Sequence, residues 1–380
     1  MNFKLTEEHL MVRDAAREFA ANELLPGVIE RDNTQSFPIE IIRKMGQLGF
    51  MGIMVDPKYG GSGMDTISYV LIMEELSKID ASASVMVSVN NSLVCFGLEA
   101  YGTEDQKQKY LSKLATGEYI GAFCLSEPEA GSDATSQQTT AIEKEDHYII
   151  NGTKNWITNG GIADVYLVVA QTDRSKGHRG INVFILEKNT AGFNIGPKED
   201  KLGIRGSDTH TLQFNDVKVP KENRIGEDGF GFTFAMKTLS GGRIGIAAQA
   251  LGIASGAYEL ALKYSKERKA FGKEIANHQA IAFKLADMYT EIEAARLLVM
   301  KAAYDKDQGN NYDTSSAAAK LYASKVAMTQ TVEAVQIHGG NGFVKDYHVE
   351  RLMRDAKITQ IYEGTSEIQK IVISRAILKD

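Results

Sequence analysis

The sequence predicts an α+β fold in three parts: an N-terminal helical domain over residues 1–120, a middle antiparallel β domain over 121–225, and a C-terminal helical bundle over 226–380. Three observations carry this prediction. Apolar residues recur at helical spacing up to about residue 120. From about Tyr119 the pattern changes to short runs of β-branched and aromatic residues separated by Gly- and Asp-containing loops. Beyond Phe230, long alanine-rich helical stretches fill the remainder. At 380 residues the chain is also long for a single core.

Taken in order, Thr6 caps a first helix, with Glu7 and Glu8 in its first turn and Leu10, Val12, Ala15, Ala16 and Phe19 as its apolar positions. A second helix covers about 38–48. Lys58-Tyr59-Gly60-Gly61-Ser62-Gly63-Met64 then reads as a loop, because no strand precedes it in a βαβ unit. Helices resume at 67–79, 83–101 and 104–114. In the middle part, His147 to Trp156 reads as a hairpin turning at Asn151-Gly152. Strands follow at 165–170, 181–186 and 211–219. The helix over 239–267 carries Gly241, Gly242, Gly245, Gly252 and Gly256. Each glycine costs about 1 kcal/mol against alanine, so this helix is expected to pack closely on another helix or a ligand. Asn277 is expected to cap the next helix, Thr314 or Ser315 the one after, and a further helix spans 347–359. Ser366, with Gln369 three residues on, forms a capping box for the last.

Composition narrows the functional classes. With 43% hydrophobic and 24% charged residues and a net charge of −6, nothing favours nucleic acid or an anionic membrane. No apolar run reads as a membrane span, and the N-terminus has no signal-peptide pattern, so the expected location is cytoplasmic. Cys95 and Cys124 have neither metal-ligand nor disulfide spacing, which fits a reducing compartment and predicts no metal.

A complete Gly-x-Gly-x-x-Gly, a Walker loop, His-Glu-x-x-His and Gly-x-Ser-x-Gly are all missing, which weighs against a Rossmann nucleotide site. Several segments remain. Phe123-Cys124-Leu125-Ser126-Glu127-Pro128-Glu129-Ala130-Gly131-Ser132-Asp133 leaves an apolar run for a turn rich in hydroxyls, able to wrap a ring edge or a phosphate; it reads equally well as a surface loop. Trp156, the single tryptophan, has a core residue as its commoner reading. Arg268 could pair a pyrophosphate or merely complement a helix end. Gln336-Ile337-His338-Gly339-Gly340 could leave backbone bare for a ligand or be a glycine cap. Glu363 precedes Gly364 on a short connector and could be a general base, although locally it reads as an ordinary solvated glutamate.

Five separated segments together resemble the acyl-CoA dehydrogenase family, in its order and over essentially the full length. They are Leu125-Ser126-Glu127-Pro128 with Ala130-Gly131-Ser132-Asp133, then Lys154-Asn155-Trp156-Ile157-Thr158-Asn159, Glu267-Arg268-Lys269-Ala270-Phe271-Gly272, Gln336-Ile337-His338-Gly339-Gly340, and Ile361-Tyr362-Glu363-Gly364-Thr365-Ser366-Glu367. The resemblance implies FAD bound non-covalently, with Phe123, Leu125, Ser126 and Ser132 on one flavin segment and Trp156, Ile157 and Thr158 on a second. It implies that Arg268, Phe271 and Gln279 reach the FAD of a neighbouring subunit, that Gln336, Gly339 and Gly340 receive its adenosine portion, and that Thr365 and Glu367 close the site. A homotetramer, built as a dimer of dimers, follows from that sharing.

By the same resemblance Glu363 is the base of an α,β-dehydrogenation of acyl-CoA thioesters, with its backbone N–H and a ribityl hydroxyl of FAD as oxyanion donors. Ser132, Ser240, Gly241, Arg243 and Gly364 match substrate contacts. Gly242 stands where some members carry their base, so that arrangement is closed. Ligand binding is expected to desolvate Glu363 and raise its pKa. Ser88-Val89-Asn90-Asn91-Ser92-Leu93 resembles the short-chain (butyryl) branch, and Leu93 and Phe96 are expected to shorten the pocket. Electrons are expected to pass to an electron-transfer flavoprotein. The competing readings are a flavin oxidase or monooxygenase on the same fold, and a catalytically silent acyl-CoA-binding scaffold. Glu129 has no assigned effect.

Overall fold

The computed structural model describes residues 4–379. Its first part is helical: α1 (Glu7–Phe19), α2 (Val28–Thr34), α3 (Ile39–Gln47), α4 (Thr66–Ile79), α5 (Ala81–Ser88), α6 (Phe96–Tyr101), α7 (Glu104–Gln106) and α8 (Ser112–Ala115). Thr6 caps α1 as expected, with His9 completing the capping box at the third helical position. α5 and α6 are joined by a wide π-helical segment, Val89–Cys95. Two buried asparagines on it supply what the neighbouring loops lack. Asn90 donates to the Met51 and Leu114 carbonyls and accepts the Gly121 N–H. Asn91 does the same for Ile53 N–H and the Phe50 carbonyl.

The second part is one sheet of β1 (Gly121–Cys124), β2 (Thr140–Glu143), β3 (His147–Thr158), β4 (Val165–Gln171), β5 (Ile181–Glu187), β6 (Phe193–Lys198), β7 (Thr209–Pro220) and β8 (Arg224–Ile225). The order is β6-β7-β3-β2-β4-β5-β8, with β1 on β4. The expected antiparallel sheet is therefore mixed: β1 runs parallel to β4, and β2 meets β4 in parallel at Thr140 and Gln171. β4 is buried at every residue, so it lacks the alternation of a half-exposed strand.

The expected hairpin at Asn151-Gly152 is also corrected. β3 runs straight through, and the pair forms a bulge where the register against β7 shifts between Ile150 and Gly152. Asn151 exchanges hydrogen bonds with Asp216, and a β-carbon at Gly152 would lie 2.5 Å from Thr139 Oγ1. The actual β2–β3 turn closes with Lys144 N–H on the His147 carbonyl at 2.8 Å.

The third part holds α9 (Gly231–Glu267), a small hairpin β9 (Lys269–Ala270) and β10 (Lys273–Glu274), then α10 (Gln279–Asp307), α11 (Asp313–His338), α12 (His348–Ile358) and α13 (Ser366–Ile377). Three expected caps shift. α10 follows His278, with Asn277 bonded to Glu274 instead; α11 follows Tyr312; and α13 is capped by Thr365, whose hydroxyl accepts Ile368 N–H. The α9 glycines do mark close packing. Added β-carbons would lie 2.2 Å from Tyr69 Oη at Gly245, 2.4 Å from the Glu74 carbonyl at Gly252 and 2.4 Å from the Lys78 carbonyl at Gly256. Glycine here trades helix propensity for an α4–α9 contact that no side chain permits.

Residues 81–101 and 231–267 are, against the sequence expectation, long and apolar enough to cross a membrane, but 94% and 83% of their apolar windows are buried inside the protein. They are core helices. Both cysteines are free and buried, and burial pushes their thiols up.

A knot of buried charge joins three stretches of chain. Arg31 binds Asp80 at 2.9 Å; Arg351 binds Asp355 at 3.0 Å and the Ile79 carbonyl at 2.7 Å; and Asp355 accepts the Ile204 N–H at 2.5 Å. Arg354 adds Asp32 at 2.7 Å and the Leu202 carbonyl at 3.2 Å. Burial pushes Asp355 up to about 6 despite the arginine beside it.

Candidate active site

The connector between α12 and α13 turns through two consecutive left-handed residues, Glu363 at φ 51° and Gly364 at φ 94°. A non-glycine residue held there costs of the order of 1–3 kcal/mol and persists only where the surroundings enforce it. The enforcement is visible. Buried Lys320 from α11 donates to the Gly364 carbonyl at 2.6 Å, and buried Gln369 from α13 donates to the same oxygen at 2.8 Å and to the Glu363 carbonyl at 3.3 Å.

The turn aims the Glu363 side chain against α9. An ideal β-carbon at Gly242 would stand 2.1 Å from Glu363 Oε2 and 2.9 Å from Leu93 Cδ2. Glu363 Oε2 is buried and has no hydrogen-bond partner among the described residues, and the same holds for Arg243 Nε. Both side chains line one cavity of about 650 Å³. Burial pushes the Glu363 carboxyl up to about 7, while Lys320 and Arg243 pull the other way. The carboxyl is thus raised in the protein itself, before any ligand adds to its desolvation. It is not the solvated surface glutamate of the local reading.

The rest of the cavity comes from all three parts. Val85, Val89 and Leu93 enter from α5 and the π-helical segment, Phe232, Met236 and Leu239 from α9, and Ile368 and Val372 from α13. Phe123, Leu125, Ser126 and Ser132 line it from β1 and the turn that follows, and Trp156, Ile157 and Thr158 from the end of β3. The tryptophan is not a core residue. It is 58% exposed and sits at φ 59°, in the register break between Lys154 and Ile157.

Beneath that wall lies a buried ion pair. Lys154, with no exposed surface, donates to Glu127 Oε1 at 2.7 Å and to the Leu125 carbonyl at 3.0 Å. Glu127 in turn accepts the backbone N–H groups of Gln138 and Thr139. Burial lowers Lys154 to about 8; the lysine beside Glu127 and its backbone donors hold that carboxyl below its usual range against burial.

The cavity thus gathers Phe123, Leu125, Ser126, Ser132, Trp156, Ile157, Thr158, Arg243, Glu363 and Gly364. Ser240 and Gly241 do not line it; the Ser240 hydroxyl donates to Asp313 Oδ1 at 2.6 Å. Thr365 caps α13 and Glu367 lies exposed in its first turn, both just outside. Arg268, Phe271, Gln279, Gln336, Gly339 and Gly340 are not brought to the cavity within one chain. Phe271 is 96% exposed at φ 53°, and β-carbons at Gly339 and Gly340 would meet nothing within 4 Å. Phe96 is corrected too: it packs on Tyr101 and beneath the Lys306 ammonium rather than on the cavity. Lys320 and the tie from Lys154 to Glu127 were missed by sequence reasoning, and Gln369, expected to complete a capping box, binds the connector's carbonyls instead. Their polar side chains on helix or strand carry no sign of burial in the local pattern.

A raised carboxyl beside an exposed aromatic wall, in a cavity shared by helical, β and helical parts, defines an acid–base site built to work against a flat ligand. The chain belongs to the acyl-CoA dehydrogenase family. It matches "Acyl-CoA dehydrogenase, N-terminal domain" over residues 6–118, the corresponding middle domain over 122–217 and the C-terminal domain over 229–378. It is 55% identical over 379 residues to a short-chain specific acyl-CoA dehydrogenase of Clostridium acetobutylicum, covering 100% of both chains. Among solved structures it resembles butyryl-CoA dehydrogenase from Megasphaera elsdenii, with a TM-score of 0.98, 51% identity and 100% of both chains covered. It also resembles a chain from a structure described as the electron transferring flavoprotein of Acidaminococcus fermentans, with a TM-score of 0.99, 54% identity and the same full coverage. The protein is an oxidoreductase of this family, whose cofactor is FAD.

Proposed function

We propose that this chain dehydrogenates short-chain acyl-CoA thioesters between Cα and Cβ, with Glu363 as the base that removes the α-proton. The observation that carries the reading is the Glu363 carboxylate: it is desolvated, without a partner at Oε2 among the described residues, raised to about 7, and lines the cavity that holds the aromatic wall. A base ionising near neutrality pairs usable basicity with a large deprotonated fraction.

The residues present fit a flavin. Trp156 offers an exposed aromatic face held by strained backbone, Phe123, Leu125 and Ile157 give apolar contact, and Ser126 and Thr158 give hydroxyls. Bound FAD supplies the acceptor for the hydride that leaves Cβ. The chain itself orients the acyl group between that wall and Glu363, takes the α-proton onto the carboxylate, and offers the Glu363 N–H to the charge that builds on the thioester oxygen. Arg243 and Arg375 are cations lining the same cavity.

Leu93, beside Glu363, and similarity to short-chain specific relatives support a four-carbon substrate. Arg268, Phe271, Gln279, Gln336, Gly339 and Gly340, which are not brought to the cavity within one chain, with Phe271 almost fully exposed, support a site completed by neighbouring subunits of a tetramer. Likeness to a chain from an electron-transferring flavoprotein structure supports transfer of electrons to such a partner.

Anaerobic bleaching of the protein-bound flavin by butyryl-CoA tests the proposal. Wild type should bleach, and Glu363→Gln should keep its colour and bind substrate without bleaching. Faster turnover of an eight-carbon than a four-carbon thioester would sink the chain-length assignment alone.

A further inference from the structure

We infer that Lys320 is a positioning residue for Glu363: it fixes the left-handed turn that aims the carboxylate and supplies the cation that lets a buried carboxylate ionise. This inference rests on the reading of Glu363 as the base. Lys320 lies in the first third of α11, 0% exposed, with its ammonium 2.6 Å from the Gly364 carbonyl. An ammonium out of water is costly, and a neutral donor could hold a carbonyl as well. Gln369 already does so, on the same oxygen, at 2.8 Å. The hydrogen bond alone therefore does not account for a charge at this place. What the charge adds is a field at the carboxylate one residue away.

The groups facing Glu363 come from each element packed on the turn. α4 contributes the neutral Tyr69 phenol, hydrogen-bonded to Ser88 at 3.0 Å. α9 contributes Arg243, which also feels Asp313 at the start of α11. The connector contributes Tyr362, bonded to Gln249, and α13 contributes Glu367, which acts on Lys320, and Arg375 across the cavity. Lys320 is foremost among the cations opposing the effect of burial on Glu363. Arg243 is partly engaged by Asp313; Lys320 is the cation bound to the base's own turn.

The test uses the FAD-loaded protein, three variants of Lys320 and Glu363→Gln. The acidic limb of single-turnover flavin bleaching by butyryl-CoA is followed against pH. The carboxyl stretch assigned to Glu363, by its loss in Glu363→Gln, is titrated in difference infrared spectra without substrate. In Lys320→Met and Lys320→Gln both midpoints should rise by about one unit or more, with KM changed by less than about twofold. Lys320→Arg should restore the wild-type midpoints. Midpoints unmoved in Met and Gln, or an Arg variant that shifts as they do, overturn the inference. Should the Met variant not fold, the Gln variant, which keeps a donor without the charge, decides the matter. Bleaching by Glu363→Gln would instead defeat the base assignment itself, a result separate from any midpoint in the Lys320 variants.

Discussion

The Glu363 carboxylate occupies the space that a β-carbon at Gly242 would need, 2.1 Å from Oε2. The two positions exclude one another: a side chain on α9 at 242 and this placement of the connector carboxylate cannot coexist. Glycine at 242 is a steric condition for the site.

Gly242→Ala should therefore displace the carboxylate while the fold survives. A misplacement of about 1 Å costs roughly a hundredfold in rate. Steady-state kinetics should show kcat falling by about that factor, with a melting temperature close to wild type.

Glu363→Gln should stabilise the protein at high pH. With the folded pKa raised to about 7, folding favours the protonated acid. That contribution is complete below the unfolded value of about 4.3 and is lost as pH rises through about 7. Removing the ionisable group should gain about 3–4 kcal/mol at pH 8 and almost nothing at pH 4. Thermal melts at the two pH values check this, and a gap that widens towards acid would refute it.

Lys154→Met strands Glu127 without its cation beneath the cavity wall. Breaking a buried pair from one side costs about 3–5 kcal/mol. Denaturant unfolding should recover a large share of that loss in the double variant Lys154→Met/Glu127→Gln, because no buried charge is then left alone.

Gly252→Ala weighs two effects of known size. Alanine gains about 1 kcal/mol in helix propensity. Its β-carbon would stand 2.4 Å from the Glu74 backbone carbonyl, a contact no rotamer relieves. Overpacking of this kind costs about 1–3 kcal/mol, so the variant should be less stable by chemical denaturation.

Trp156→Gly relieves a strained backbone but removes the exposed wall. The apo protein should melt no lower than wild type. The affinity for FAD, read by fluorescence, should fall about tenfold, the equivalent of the roughly 1.5 kcal/mol of a good aromatic pair.

Much of this was legible from the chain. The change of period near Tyr119 marked the passage from helix to sheet, and the glycines of α9 announced close packing that Gly245, Gly252 and Gly256 display. The short motifs led to the cavity where their residues were apolar or hydroxylic. What escaped was set by tertiary contact. β1 pairs in parallel with a strand some forty residues on, which no local pattern encodes. Asn151-Gly152 has the chemistry of a turn and serves a bulge, because Asp216 and Thr139 are waiting there. Asn90 and Asn91, in the stretch that resembles the short-chain branch, also fasten loops, a role that no local pattern announced. Lys320 and Lys154 look like solvated cations until the fold closes over them.

The charges shared by Arg31, Asp80, Arg351 and Asp355 reach from the first helices through Ile204 to α12. Lifting α12 away would take Arg354 from buried Asp32, Arg351 from the Ile79 carbonyl and the Ile204 N–H from Asp355, so partial opening at this junction is heavily penalised. Amide protons at Ile204 and along α12 should accordingly exchange with solvent at one common, slow rate. The two ends of the chain and its centre would then behave as a single cooperative unit, and the wall and the base, drawn from different parts, keep their spacing through thermal fluctuation.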